Sequence, residues 1–180
     1  MPFSAGDRVF VDESKSGGYY IAAAATASTD VASIERRLRG LRAGGRSAIH
    51  FNDESKRRDQ LIRALCELEV RVHVYVMRRA RDTVARPALL RALVADLIDG
   101  GAADLTLERD ASLEAADRRV IRGELDRLGA LTRLKYGHRG RTEQPMLWIA
   151  DAVAWCEQKG GVWPQKVAPI VARRVVIDPP

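Results

Sequence analysis

Apolar residues fall along this chain in two rhythms, and the switches between them mark out the elements. Val9, Phe10 and Val11 form a short unbroken apolar run of branched and aromatic residues, the pattern of a strand buried on both faces. The run stops at two adjacent acids, Asp12 and Glu13, and the six-residue turn ESKSGG leads to a second predicted strand over 19–27, YYIAAAATA. Its alanines leave room for something to pack close above the sheet. Ser28, Thr29 and Asp30 are helix-start residues, and Ile34, Leu38 and Leu41 then describe a short amphipathic helix ending at Gly44-Gly45. The segment 47–51, SAIHF, reads as a short third strand.

Asn52 and Asp53 offer an N-cap for a helix carrying Leu61, Ile62, Leu65 and Leu68 at helical spacing. Strict alternation over 70–77 (VRVHVYVM) predicts the clearest strand, with Val70, Val72, Val74 and Val76 on one face. A basic connection over 78–86 follows, and Pro87 opens a helix that Gly100-Gly101 closes. A strand over 104–110 (DLTLERD) ends again in acids, and 113–128 is a charged amphipathic helix. The residues 131–136 read as a further strand or extended segment. A basic, glycine-broken loop over 135–142 then enters 145–156 (PMLWIADAVAWC), a helix apolar nearly all round and therefore buried. Its one exception is Asp151.

Composition changes the picture little. With 180 residues, 46% apolar and 30% charged, the chain reads as one soluble domain, 1–180, with a real core. No apolar run approaches the roughly 18 residues that span a bilayer, and no secretory pattern opens the chain. Cys66 and Cys156 sit inside apolar helical patterns and read as reduced core thiols, so a cytoplasmic location is expected. Net charge is +6, and 25 of the 30 basic residues are arginine. That balance agrees with a polyanion partner, since guanidinium groups bind phosphate bidentately, and equally with a codon bias toward arginine.

Four acidic places carry the candidate chemistry: Asp12 with Glu13, Asp53 with Glu54, Glu108 with Asp110, and Asp151. A carboxylate buried alone costs several kcal/mol, so Asp151 needs an arginine, a capping donor or a shared metal ion. Carboxylates gathered around Mg²⁺ or Mn²⁺ relieve one another's repulsion, and two such ions can activate water and stabilise a leaving oxygen. Among the histidines, His73 reads as structural and His50 as packing. His138, in the basic loop, could relay protons, with Lys135, Arg139 and Arg141 gripping phosphate; a solvated basic loop is the plain alternative.

Three motifs together resemble an uncharacterised bacterial family, a domain of unknown function grouped with the ribonuclease H-like fold. They are VFVDES at 9–14, IHF at 49–51 leading into a helix, and LWIADAVAWC at 147–156, where Trp148 stands in place of the family's usual Gln. The resemblance implies a ribonuclease H-like mixed sheet of about five strands with helices on both faces. It also implies a nuclease-like acidic site, with Asp12 the central ligand and Asp151 the ligand from the last helix. Asp110 completes the expected metal set, with Glu54 and Glu108 competing for that middle place. The strand at 70–77 carries no acid, unlike ribonuclease H itself. The expected activity is metal-dependent phosphodiester hydrolysis of RNA or DNA, using Asp12, Glu13, Glu54, Asp110, Asp151 and His138. A non-catalytic nucleic-acid or protein-binding module on the same fold is the alternative.

Overall fold

The computed structural model describes residues 2–180. Strands β1 (Asp7–Lys15), β2 (Tyr19–Ala27) and β3 (Arg71–Met77) form an antiparallel meander at the centre of one sheet. Strands β4 (Asp104–Glu108) and β5 (Lys135–Arg139) add on in parallel beside β1, and β6 (Val171–Val176) adds in parallel beside β3. The order is β5-β4-β1-β2-β3-β6. This is a mixed α/β sheet with helices on both faces, as expected, with six strands in place of about five.

Two apolar layers cover the sheet, and strand alternation decides which side chain enters which layer. Phe10, Ala22, Ala24, Val72, Val74 and Val76 face one layer, with α1 (Val31–Gly40), α2 (Arg58–Cys66) and α5 (Leu147–Lys159). Val9, Val11, Ala23, Ala25, Tyr75 and Met77 face the other, with α3 (Asp82–Gly100) and α4 (Glu114–Arg127). Ala22, Ala23, Ala24 and Ala25 of β2 are buried, and the small side chains of Ala22 and Ala24 let α5 lie close over β1 and β2. Both faces of β3 are covered: His73, Tyr75 and Met77 are as buried as the valines between them.

Several element boundaries differ from the sequence reading. Residues 47–51 form no strand; Ile49 and Phe51 are apolar plugs, and Phe51–Asp53 is one 3-10 turn. Asn52 and Asp53 therefore cap nothing, since α2 begins at Arg58. Helix α3 starts five residues before Pro87, its first turn too polar to register as an apolar stripe. The strand expected over 131–136 is displaced to β5, so half of the supposed basic loop is sheet. The tail supplies a short helix, α6 (Trp163–Val167), and the edge strand β6. No helix is long and apolar enough to cross a membrane.

The amino-terminal segment is pinned where α3 ends. A Cβ built on Gly100 would stand 2.5 Å from the Phe3 carbonyl oxygen and 2.8 Å from its carbon, closer than packed atoms come. Gly100→Ala is therefore expected to destabilise the protein by about 1–3 kcal/mol in urea unfolding, although alanine is the better helix former. A neutral or stabilising effect would show that the segment is not seated there.

Candidate functional site

Adjacent acids at the end of β1 point to opposite faces of the sheet, because side chains alternate along a strand. Asp12 shares the parity of Phe10 and turns toward α5. Glu13 shares the parity of Val11 and turns toward α3 and α4. Glu13 accepts from Arg86 Nη1 at 2.8 Å, and Arg86 makes a paired contact with Asp117, Nε to Oδ1 at 2.7 Å and Nη2 to Oδ2 at 2.9 Å. The Tyr19 hydroxyl accepts from Arg86 at 2.8 Å, and His138 Nε2 lies 3.0 Å from Asp117 Oδ2. Lys15 lies 3.7 Å from Glu13. This buried network ties β1, α3, α4 and β5 together, so Glu13 and His138 are held by structural partners.

On the α5 side three carboxylates gather around one guanidinium. Arg141 Nη2 lies 2.5 Å from Glu108 Oε1 and 3.8 Å from Asp12 Oδ2, and Nη1 lies 3.8 Å from Asp151 Oδ2. Asp12 comes from the end of β1, Glu108 from the end of parallel β4, and Asp151 from α5. The Arg141 carbonyl accepts from the indole of fully buried Trp148 at 2.8 Å, which turns the loop after β5 inward. Asp151 Oδ2 also accepts the Phe51 backbone N–H at 2.8 Å, and His50 Nδ1 lies 3.9 Å away. These contacts all use Oδ2, so none of them commits Oδ1. The Trp155 indole donates to Asn52 at 3.1 Å, and Arg58 stacks on its ring at 4.3 Å. Asp12, Glu13, Lys15, His50, Asn52, Glu108, Arg141, Asp151 and Trp155 line an open cleft of about 430 Å³.

Burial is the main force on the acids. Asp12 is 4% exposed and Asp151 9%. Burial first, then a hydrogen bond with Glu108 and the charges of Asp151, Glu108 and Glu13, push the Asp12 carboxyl well above the usual carboxylate range. Burial raises Asp151 as well, against the Phe51 N–H, Arg141 and His50, which favour its charged form. One guanidinium does not neutralise three carboxylates.

The other residues singled out in the sequence lie elsewhere. Asp110 is exposed in the turn after β4, where its Oδ1 accepts from the Ser112 N–H at 2.9 Å and hydroxyl at 2.6 Å; these bonds lower its pKa. Glu108, in register opposite Arg139, takes the middle place that Asp110 was expected to fill. Glu54 is buried 3.8 Å from Arg57 and does not line the cleft. Lys135 begins β5 and is level with Asp104 and Arg8, at the far end of the sheet from the acids. Arg139 is exposed at the cleft end of β5, and Arg141 grips carboxylates. Sequence reasoning missed Arg141 as the centre of the cluster and Arg86 as the partner of Glu13. Parity along β1 and β4 was the signal that could have separated these groups.

No protein-family model and no curated protein matches the chain. Among solved structures, it is similar to a chain of the PCNA:RNase HII complex from Archaeoglobus fulgidus, at 13% identity over 85% of this chain and 72% of that one, with a TM-score of 0.49. So remote a likeness carries no argument about the site, which must be read from its own residues.

The donor set is all carboxylate oxygen, the chemistry that suits Mg²⁺ or Mn²⁺. Among the described residues, however, no group of three or more His, Cys, Asp or Glu side chains is arranged to hold a metal ion. Arg141 stands among the acids instead. The donors thus fit a hard divalent cation in kind and in charge, and any such ion competes with Arg141 for them.

Because the folded-state pKa of Asp12 is raised, the folded protein binds more protons than the unfolded chain above the ordinary carboxylate value, and stability falls as pH rises through that window. Asn keeps the shape and the hydrogen bonds without the charge. Melting in EDTA should therefore find Asp12→Asn more stable than the parent near about pH 8, with the gap closing toward about pH 4. An Asp12→Asn protein that melts lower at the higher pH would contradict the assigned strain.

Proposed function

We propose that the cleft performs metal-dependent phosphodiester hydrolysis on nucleic acid, in a protein that works in the cytoplasm. The observation that carries this reading is the convergence of buried Asp12 and Asp151 with partly exposed Glu108, only partly neutralised, at the carboxyl ends of parallel β1 and β4, where open α/β sheets bind ligands. Asp12, Glu108 and Asp151 would hold Mg²⁺ or Mn²⁺, which supplies an activated water and stabilises the leaving oxygen when bound. The resemblance to the uncharacterised bacterial ribonuclease H-like family, resting on its three motifs, points the same way.

The chain's own residues supply the rest. Asp151 is aimed by the Phe51 N–H, and Asp12 by the Glu13 N–H, which donates to its Oδ1 at 2.7 Å. Glu13, locked to Arg86, holds the end of β1 in place and acts as a positioning residue. Arg141 stands among the acids in the metal-free protein and would be released to pair with a substrate phosphate once a metal ion takes its place. Lys15 and Trp155 line the cleft and can contact a nucleic-acid strand, and exposed Arg139, at the end of β5 outside the cleft lining, adds positive charge nearby. Asp110, Glu54, His138 and Lys135 have no part in this mechanism, since each lies outside the cleft.

A second reading has its own observation. Arg141 among the carboxylates, with no group arranged to hold a metal ion among the described residues, favours a non-catalytic nucleic-acid-binding module with a degenerate site.

A cleavage screen separates the two. Single-stranded, duplex and hybrid substrates are incubated in Mn²⁺ and in EDTA with the parent protein and with Asp12→Asn. The hydrolytic reading expects cleavage in Mn²⁺ only and its loss in Asp12→Asn, with nucleic-acid binding retained and weakened by salt. Full activity in Asp12→Asn would falsify the role of that residue. Salt-sensitive binding without cleavage of any substrate would leave the binding module.

A further inference from the structure

A second polar recess lies at the opposite end of the sheet from the carboxylates. There β3 and β6 run in parallel, with His73 in register beside Arg173. Alternation places Arg71 and His73 on the same face of β3. The His73 imidazole is 2% exposed and packs on Phe3, ring centroids 4.4 Å apart. Neither of its ring nitrogens has a hydrogen-bond partner. Buried polar groups are nearly always paired, because an unmet donor or acceptor in the interior costs about 1–3 kcal/mol. Histidine stands here between two arginines, where a leucine would pack without that cost.

Pro2, Ser4, Arg71, His73, Ala172 and Arg173 line this recess, which has a volume of about 450 Å³. Each arginine is anchored through one nitrogen. Arg71 Nη2 contacts Asp7 Oδ2 at 2.6 Å and Ser4 Oγ at 3.3 Å, and Arg173 Nη1 contacts Asp96 Oδ2 at 3.2 Å. Both carboxylates have other donors: the Ser4 N–H on Asp7 at 2.8 Å and the Tyr75 hydroxyl on Asp96 at 2.6 Å. These anchors leave Nε and the second Nη of each guanidinium uncommitted by them. Two oriented guanidinium groups flanking a dry N–H make a cradle for an oxyanion, since planar forks of donors match phosphate oxygens.

We propose that this recess binds a phosphate monoester group, clamped by Arg71 and Arg173, with His73 as its buried donor. The positive environment is visible in the histidine itself. Burial, then the charges of Arg71 and Arg173, push its pKa down to about 4, against the opposing charges of Asp96 on α3 and Asp7 on β1. A dianion set among these groups offsets the two arginine charges and accepts a hydrogen bond from the imidazole N–H. The volume is in the lower part of the range for small-molecule sites and exceeds what bare phosphate fills. The group can therefore belong to inorganic phosphate, to a mononucleotide or to the phosphorylated end of a strand. The site stands apart from the carboxylate cleft and does not rest on the hydrolytic reading.

Isothermal titration of the full chain at low salt tests it, using inorganic phosphate, adenosine monophosphate, and one oligonucleotide with and without a 5′-phosphate. Saturable binding is expected at millimolar concentration or below. The arm that binds tightest identifies the source of the phosphate. Arg173→Gln, on an exposed edge strand, and His73→Gln should each weaken binding about tenfold or more, while Asp12→Asn binds as the parent does. Should His73→Gln fail to fold, Arg173→Gln still decides. No heat from any phosphate, or equal affinity in Arg173→Gln, overturns the proposal.

Discussion

Three carboxylates around one guanidinium, two of them buried, are the constraint on which the functional end of this molecule depends. Asp12, Glu108 and Asp151 arrive from three elements far apart in the chain, and Arg141 touches all of them. Removing such charges from water is costly, and a single positive partner repays it only in part. The raised pKa values of Asp12 and Asp151 express the remainder, with burial as the leading cause in both. A fold that keeps this arrangement retains a place where added positive charge is stabilising.

The scaffold makes the arrangement possible through ordinary packing. Ala22 and Ala24 of β2 let α5 settle over β1, which brings Asp151 to the level where β1 ends. Parallel pairing of β1 with β4 sets Glu108 beside Asp12, and the Trp148 indole holds the Arg141 carbonyl so that the loop after β5 folds inward. On the other face Arg86 gathers Glu13, Asp117 and Tyr19, with His138 against Asp117. That network holds the end of β1 from the opposite face, and of its members Glu13 also borders the cleft.

Much of this is legible in the order of residues alone. Strands β1 and β3 are readable because short continuous or strictly alternating runs of branched apolar residues suit little else than a buried sheet, and β2 because two tyrosines and an isoleucine open an unbroken apolar run after a glycine turn. Asp151 stood out because an acid inside an apolar helix needs a partner. The segment 47–51 misled because Ile49 and Phe51 alternate with smaller or polar residues as a strand would, while serving as plugs in an irregular stretch. Pro87 misled because a polar first turn of α3 hides the start of that helix. Asp110 and Glu108 differ by two positions, and only the point where β4 stops decides which of them enters the cleft. Arg141 was hidden by its company: in a basic loop it reads as a phosphate contact, and nothing local reveals that a tryptophan seven residues later turns it inward.

If Arg141 is the built-in counter-ion of a cation site, protein and metal compete for the same oxygens, and removing the competitor must favour the metal. Titration of Mn²⁺ into the parent protein and into Arg141→Gln, followed by calorimetry in metal-free buffer, measures that competition directly. The account predicts saturable binding by the parent and tighter binding by Arg141→Gln, provided circular dichroism shows the variant folded. No Mn²⁺ binding by either protein, or weaker binding once the guanidinium is gone, would contradict it.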